Sequence, residues 1–144
     1  MADQVQYSRN RQEFIGGCDI PTYMQLLHTS ITVKNMDESI AFYTGKLGMN
    51  LIRRDEIKQN DAEIAFLGLE GTNHRIELTW WRNKRDYSDG DQLDHIAFGV
   101  EDLSGFVQKM KSDGVEIAKE PYSLGSGLIA FIKDPNGIWL EILS

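Results

Sequence analysis

The chain has 144 residues, 41% of them hydrophobic and 26% charged, enough to bury one core and too ordinary in composition for a disordered, collagenous or disulfide-built protein. Fifteen Lys and Arg against twenty-two Asp and Glu leave a formal charge of -7, and no dense basic run offsets it, which excludes a phosphate backbone or an anionic leaflet as partner. The one cysteine, Cys18, has no internal partner, no apolar run approaches the roughly 20 residues of a membrane span, and the first residues lack a signal-peptide stretch, so the expected address is the cytoplasm.

Residues 1–24 are polar and weakly patterned, broken by Gly16, Gly17 and Pro21, and read as an N-terminal arm ahead of the domain at 25–144. From Leu26 the chain is duplicated. His28 and His95, Val33 and Val100, and Met36 and Leu103 each stand 67 positions apart, and such self-similarity marks repeated units. Module one is expected over 25–82 and module two over 93–144. Each opens with an alternating strand, passes through an acidic turn into an amphipathic helix, and returns through strand-like runs, an α+β pattern.

In the first helix Asn35 is the expected N-cap, with Glu38 three residues on, and Met36, Ile40, Tyr43 and Leu47 recur at helical spacing. Gly48 ends it. In the second, Asp102 caps, Leu103, Phe106, Val107 and Met110 form the apolar stripe, and Gly114 closes. Asp134-Pro135-Asn136-Gly137 predicts a tight turn into the last strand.

Because successive side chains of a strand point to opposite faces, Leu27, Ile31 and Val33 share one face and His28, Ser30 and Thr32 the other. The same alternation sets Ile76, Leu78 and Trp80 against Glu77 and Thr79, Ile96 and Phe98 against His95 and Ala97, and Leu140 and Ile142 against Trp139 and Glu141. Each module thus carries one histidine on its first strand and one glutamate on its last, all opposite the apolar face. If the halves form a curved sheet, the four converge. Two neutral imidazoles and two carboxylates suit a divalent cation. Such an ion is a Lewis acid for removing a proton beside a carbonyl, and a neighbouring carboxylate can carry that proton. His74, at an expected hairpin, reads as a surface residue, and Phe42, Tyr43, Phe66, Trp80 and Phe98 as core.

Through LLHT, SIAFYTGKLGM, IELTW, DHIAFGV and AFIKDPNGIWLEIL, the chain from Leu26 to Leu143 resembles the glyoxalase I (lactoylglutathione lyase) branch of the vicinal oxygen chelate superfamily. The resemblance implies two tandem βαβββ modules in a curved mixed sheet with helices on the outer face. It places the metal ligands on His28, Glu77, His95 and Glu141, for nickel or cobalt ahead of zinc. It also implies a homodimer and conversion of the hemithioacetal of methylglyoxal and a thiol such as glutathione into a 2-hydroxyacyl thioester by enediolate proton transfer. Glu141 would be the main proton shuttle and Glu77 would serve the opposite face. The chain departs from the family where it touches the thiol: the glutathione-contacting arginine falls on Thr32, the asparagine on Trp81, and the lysine-bearing loop reads YSLGSG. Three alternatives stay open: an Fe(II) extradiol dioxygenase using His28, His95 and Glu141, against which Glu77 speaks, an epimerase of the same superfamily, and a metal-free drug-binding module.

Overall fold

The computed structural model describes residues 26–84, 86–88, 90 and 93–144. The arm expected over 1–24, with Cys18, lies outside the described residues. Strand β1 (His28–Thr32), helix α1 (Met36–Gly45) and strands β2 (Asn50–Ile57), β3 (Ala62–Gly68) and β4 (Arg75–Trp81) make the first βαβββ set. Strand β5 (Ile96–Gly99), helix α2 (Leu103–Ser112) and strands β6 (Ile117–Leu124), β7 (Gly127–Lys133) and β8 (Trp139–Leu143) make the second. Each set forms a four-stranded mixed sheet, in the order β1-β4-β3-β2 and β5-β8-β7-β6. The first strand of each set lies parallel to the last, and the other pairings are antiparallel. This is the two-module α+β fold implied by the repeat. Among the described residues no helix is long and apolar enough to cross a membrane.

Local chemistry sets the helix ends. The Asn35 side chain accepts from the Glu38 amide at 3.0 Å, and that of Asp102 from the Gly105 amide at 3.0 Å, each satisfying an N–H that the helix leaves without a partner. Beyond the C-termini, Gly48 and Gly114 take φ of +67° and +75°, a conformation that side chains with a Cβ resist. The chain then doubles back so that the Met49 amide reaches the Tyr43 carbonyl and the Val115 amide the Met110 carbonyl. The expected 134–137 turn closes with the Gly137 amide on the Asp134 carbonyl at 3.1 Å.

Alternation then buries one face. Ile31, Val33, Ile76, Leu78, Leu140 and Ile142 join Met36, Tyr43, Leu103, Val107 and Met110 in one apolar cluster drawn from both modules. Each such side chain contributes about 1.5–3 kcal/mol when taken fully from water. Leu27, expected on that face, precedes β1 and remains 48% exposed. Pro121 sits in β6, an edge strand, at a register shift between Lys119 and Tyr122, where the missing N–H costs no ladder bond.

Candidate functional site

The register puts the first pair together. Parallel pairing sets Ser30 beside Glu77, which brings His28 Nε2 to 3.7 Å from Glu77 Oε2. In the second module Ala97 stands beside Glu141, and His95, the residue just before β5, holds Nε2 3.2 Å from Glu141 Oε2. The imidazoles are 42% and 32% exposed and both glutamates 16%, so each pair opens to solvent on its histidine side. His95 Nδ1 also lies 3.2 Å from Asp94 Oδ2, which leaves Nε2 to face the glutamate.

Each pair carries a phenylalanine. Phe66 is the cross-strand partner of Glu77 and Phe131 that of Glu141. Their rings stand edge-on to His28 and His95 at 5.3 and 5.8 Å between centroids. Phe66, expected in the core, therefore belongs to the histidine face. Pairing across β3 and β4 decides this: Phe66 shares the face of its partner Glu77 while Ala65 and Leu67 on either side are buried in the core. Beside the β2 irregularity between Leu51 and Arg53 its half-buried ring lies under the Arg53 guanidinium, 4.5 Å from the ring centre. His74 also differs from expectation. It is half-buried, with Nε2 3.0 Å from Thr29 Oγ1 and Nδ1 buried without a partner among the described residues.

The two pairs do not merge. Among the described residues no group of three or more His, Cys, Asp or Glu side chains is close enough to hold one ion. Within one chain the four therefore do not gather round one point. Each pair belongs to its own sheet, and strand order, invisible to local alternation, keeps the sheets' first and last strands within their own modules.

Sequence reasoning missed the surroundings of Glu77. Ser30 Oγ donates to Glu77 Oε1 at 2.8 Å, and Thr79 Oγ1 lies 3.1 Å from the same oxygen. Their signal was present as hydroxyl residues on the histidine face of adjacent strands. A cleft of about 660 Å³ is lined by none of the four residues but reaches Ser30, which bonds Glu77, and Asp94, which contacts His95, with Lys34, Lys84 and Lys119 on its walls. Thr32 lines it, whereas Trp81 does not. The cleft therefore has cations at positions the family pattern did not mark.

Electrostatics elsewhere serve the scaffold. Hydrogen bonds from Lys109 and then Lys46 hold the Asp113 carboxyl below its usual range, joining α2 to the end of α1. Arg54, hydrogen-bonded first to Glu63 and then to Asp37, is raised further above its usual value and ties β2 to β3 and α1.

Comparison with known proteins matches residues 25–142 to the Glyoxalase/Bleomycin resistance protein/Dioxygenase superfamily. A probable lactoylglutathione lyase of Synechocystis is 39% identical over 126 residues, 83% of this chain and 95% of that protein. The lactoylglutathione lyase of Haemophilus influenzae is 37% identical over 124 residues, 83% of this chain and 92% of that protein. Among solved structures, the trypanothione-dependent glyoxalase I of Leishmania major superposes with a TM-score of 0.75 at 34% identity, covering 85% of this chain and 87% of that one.

Proposed function

The chain belongs to the glyoxalase I (lactoylglutathione lyase) family within the Glyoxalase/Bleomycin resistance protein/Dioxygenase superfamily, and from that premise we propose a divalent-metal-dependent lyase acting on the hemithioacetal of methylglyoxal and a thiol. The observation that carries this reading is the mirrored His28–Glu77 and His95–Glu141 pairing, each nitrogen facing its carboxylate oxygen on the same side of its sheet. Two neutral imidazoles and two carboxylates match a dication in charge and donor type, with no thiolate to favour a softer ion. Nickel or cobalt is the expected ion, with zinc the alternative. Because the pairs stay apart within one chain, the four donors would come from two copies, His28 and Glu77 of one with His95 and Glu141 of the other, and the working protein is a homodimer. The modules are taken as 25–82 and 93–144, preceded by an arm over 1–24.

Held by His28, Glu77, His95 and Glu141, a divalent ion would supply positive charge that lowers the cost of removing a proton from the carbon beside a carbonyl. The chain's own groups do the rest. Glu141 takes that proton from the sulfur-bearing carbon and returns it to the adjacent one, while the hydroxyl proton is lost and the former carbonyl oxygen gains one, so the reaction is an isomerisation to the 2-hydroxyacyl thioester. Glu77 serves the opposite face. Phe66 and Phe131, edge-on to the imidazoles, limit ring rotation and keep water from that side.

The thiol is read as glutathione or another thiol. Thr32 and Trp81 replace a cation and an amide, interactions worth about 1–3 kcal/mol each, while Lys34, Lys84 and Lys119 supply positive charge along the cleft. A Leishmania major relative is described as trypanothione-dependent, so the thiol varies among proteins of this fold. With one cysteine in 144 residues, the chain has no internal disulfide to need an oxidising compartment, and we place it in the cytoplasm.

The test is a metal titration of the metal-free protein, assayed with methylglyoxal plus glutathione. Activity restored by nickel or cobalt is expected. Bound metal without turnover would assign another substrate, and failure to hold any divalent ion would end the reading.

A further inference from the structure

The two half-sites share their histidine, glutamate and phenylalanine but differ in the residues behind the carboxylates. Ser30 and Glu77 are partners across the parallel β1–β4 pair, and Thr79, two residues beyond Glu77 on the same strand, shares its face. Ser30 Oγ lies 2.8 Å from Glu77 Oε1, Thr79 Oγ1 lies 3.1 Å from that oxygen, and the two hydroxyls are 3.0 Å from each other. Each hydroxyl has a single proton to donate. Two protons therefore serve three contacts, and Oε1 receives at least one in every arrangement, either from both hydroxyls or from the end of a short relay. Only Oε2 is left facing His28. In the second module the partner of Glu141 is Ala97 and the residue two beyond it is Leu143, so neither position carries a hydroxyl.

We propose that Ser30, together with Thr79, is a positioning residue for Glu77: their hydroxyls tie down Oε1 so that Oε2 alone is offered, in one fixed orientation, as the ligand oxygen. The inference rests on the metal-centre reading above. Bonds from a neutral hydroxyl to an ionised carboxylate are short and strong, and Thr79 is 8% exposed, so water competes poorly for the tether. Outer-shell hydrogen bonds of this kind orient metal ligands. The asymmetry also divides the labour between the carboxylates. Glu77 is restrained, while Glu141, without these two hydroxyls, keeps the side-chain rotation needed to carry a proton between two carbons.

The test compares the unsubstituted protein with Ser30→Ala, which copies the second module, and with Ser30→Thr, which keeps a hydroxyl on a residue suited to a strand. Ser30 is exposed and β1 is held by backbone pairing, so both variants should fold with unchanged melting temperature. Nickel affinity, measured by competition with a chromophoric chelator, should fall about 10- to 100-fold in Ser30→Ala and return in Ser30→Thr. Crystals of the metal-free proteins should show one Glu77 conformer in the unsubstituted chain and several in Ser30→Ala. Unchanged nickel affinity in Ser30→Ala, or a loss that Ser30→Thr does not restore, overturns the proposal. If the unsubstituted protein takes up no divalent ion, the metal-centre reading falls by itself, and the Glu77 conformers alone decide whether Ser30 fixes that side chain.

Discussion

The Tyr43 hydroxyl donates to Asp134 Oδ2 at 2.9 Å, joining α1 to the turn before β8 across 91 positions of chain. The other Asp134 oxygen accepts from the Asn136 and Ile138 amides, and the Asn136 side chain in turn bonds the Lys34 amide and Ser39 Oγ. Helix α1 of the first module and the last turn of the second are therefore one buried polar knot. In a low-dielectric interior, a network with its members paired specifies one arrangement of the parts it joins.

Tyr43→Phe keeps the ring and removes the donor. Asp134 retains its bonds from Asn136 and Ile138, so the expected cost is about 1–3 kcal/mol in urea unfolding, with the slope of the transition unchanged. A larger change in slope would mean that the modules come apart separately.

The same residue predicts a loss of stability in alkali. Burial, then the negative charge of Asp134 and its hydrogen bond, push the Tyr43 phenol well above its ordinary value of 10.0. The folded state then holds the proton that the unfolded state releases, so this contribution is complete below about pH 10 and declines as pH rises past it. Melting temperatures taken from pH 8 to 11 should fall more steeply for the unsubstituted protein than for Tyr43→Phe. Parallel curves would clear Tyr43 of responsibility.

Glu141→Gln keeps size and polarity but cannot take a proton. Turnover should drop by about 10²- to 10⁴-fold, the range for a general base, while the melting temperature stays the same. Near-normal turnover would remove Glu141 from proton transfer.

A site shared between copies makes a prediction that a site within one chain does not. A variant lacking His28 and Glu77 and one lacking His95 and Glu141 should each be inactive, yet their mixed dimer holds one intact set of four donors. Random exchange makes half the dimers mixed, with one of two sites whole, so about a quarter of normal activity should return on mixing. No recovery after proven exchange would place each site within a single chain.

Leu78 is fully buried on β4, directly after Glu77 and on the opposite face. Leu78→Ala should cost about 2–5 kcal/mol, read as a lower urea midpoint. A cost under 1 kcal/mol would show that the sheet collapses around the vacancy.

What the sequence determined by itself was local or repeated. Caps at Asn35 and Asp102, turns at Gly48, Gly114 and 134–137, and the face on which His28, Glu77, His95 and Glu141 lie all follow from backbone geometry within a few residues. Repetition then implied that two such faces exist. Tertiary structure decided everything that depends on which strand lies beside which: Phe66 on the histidine face, His74 against Thr29, the Ser30 and Thr79 hydroxyls on Glu77, and the separation of the two pairs. Alternation assigns a side chain to a face but says nothing of its neighbour across the ladder, because register and strand order arise from pairings between residues tens of positions apart.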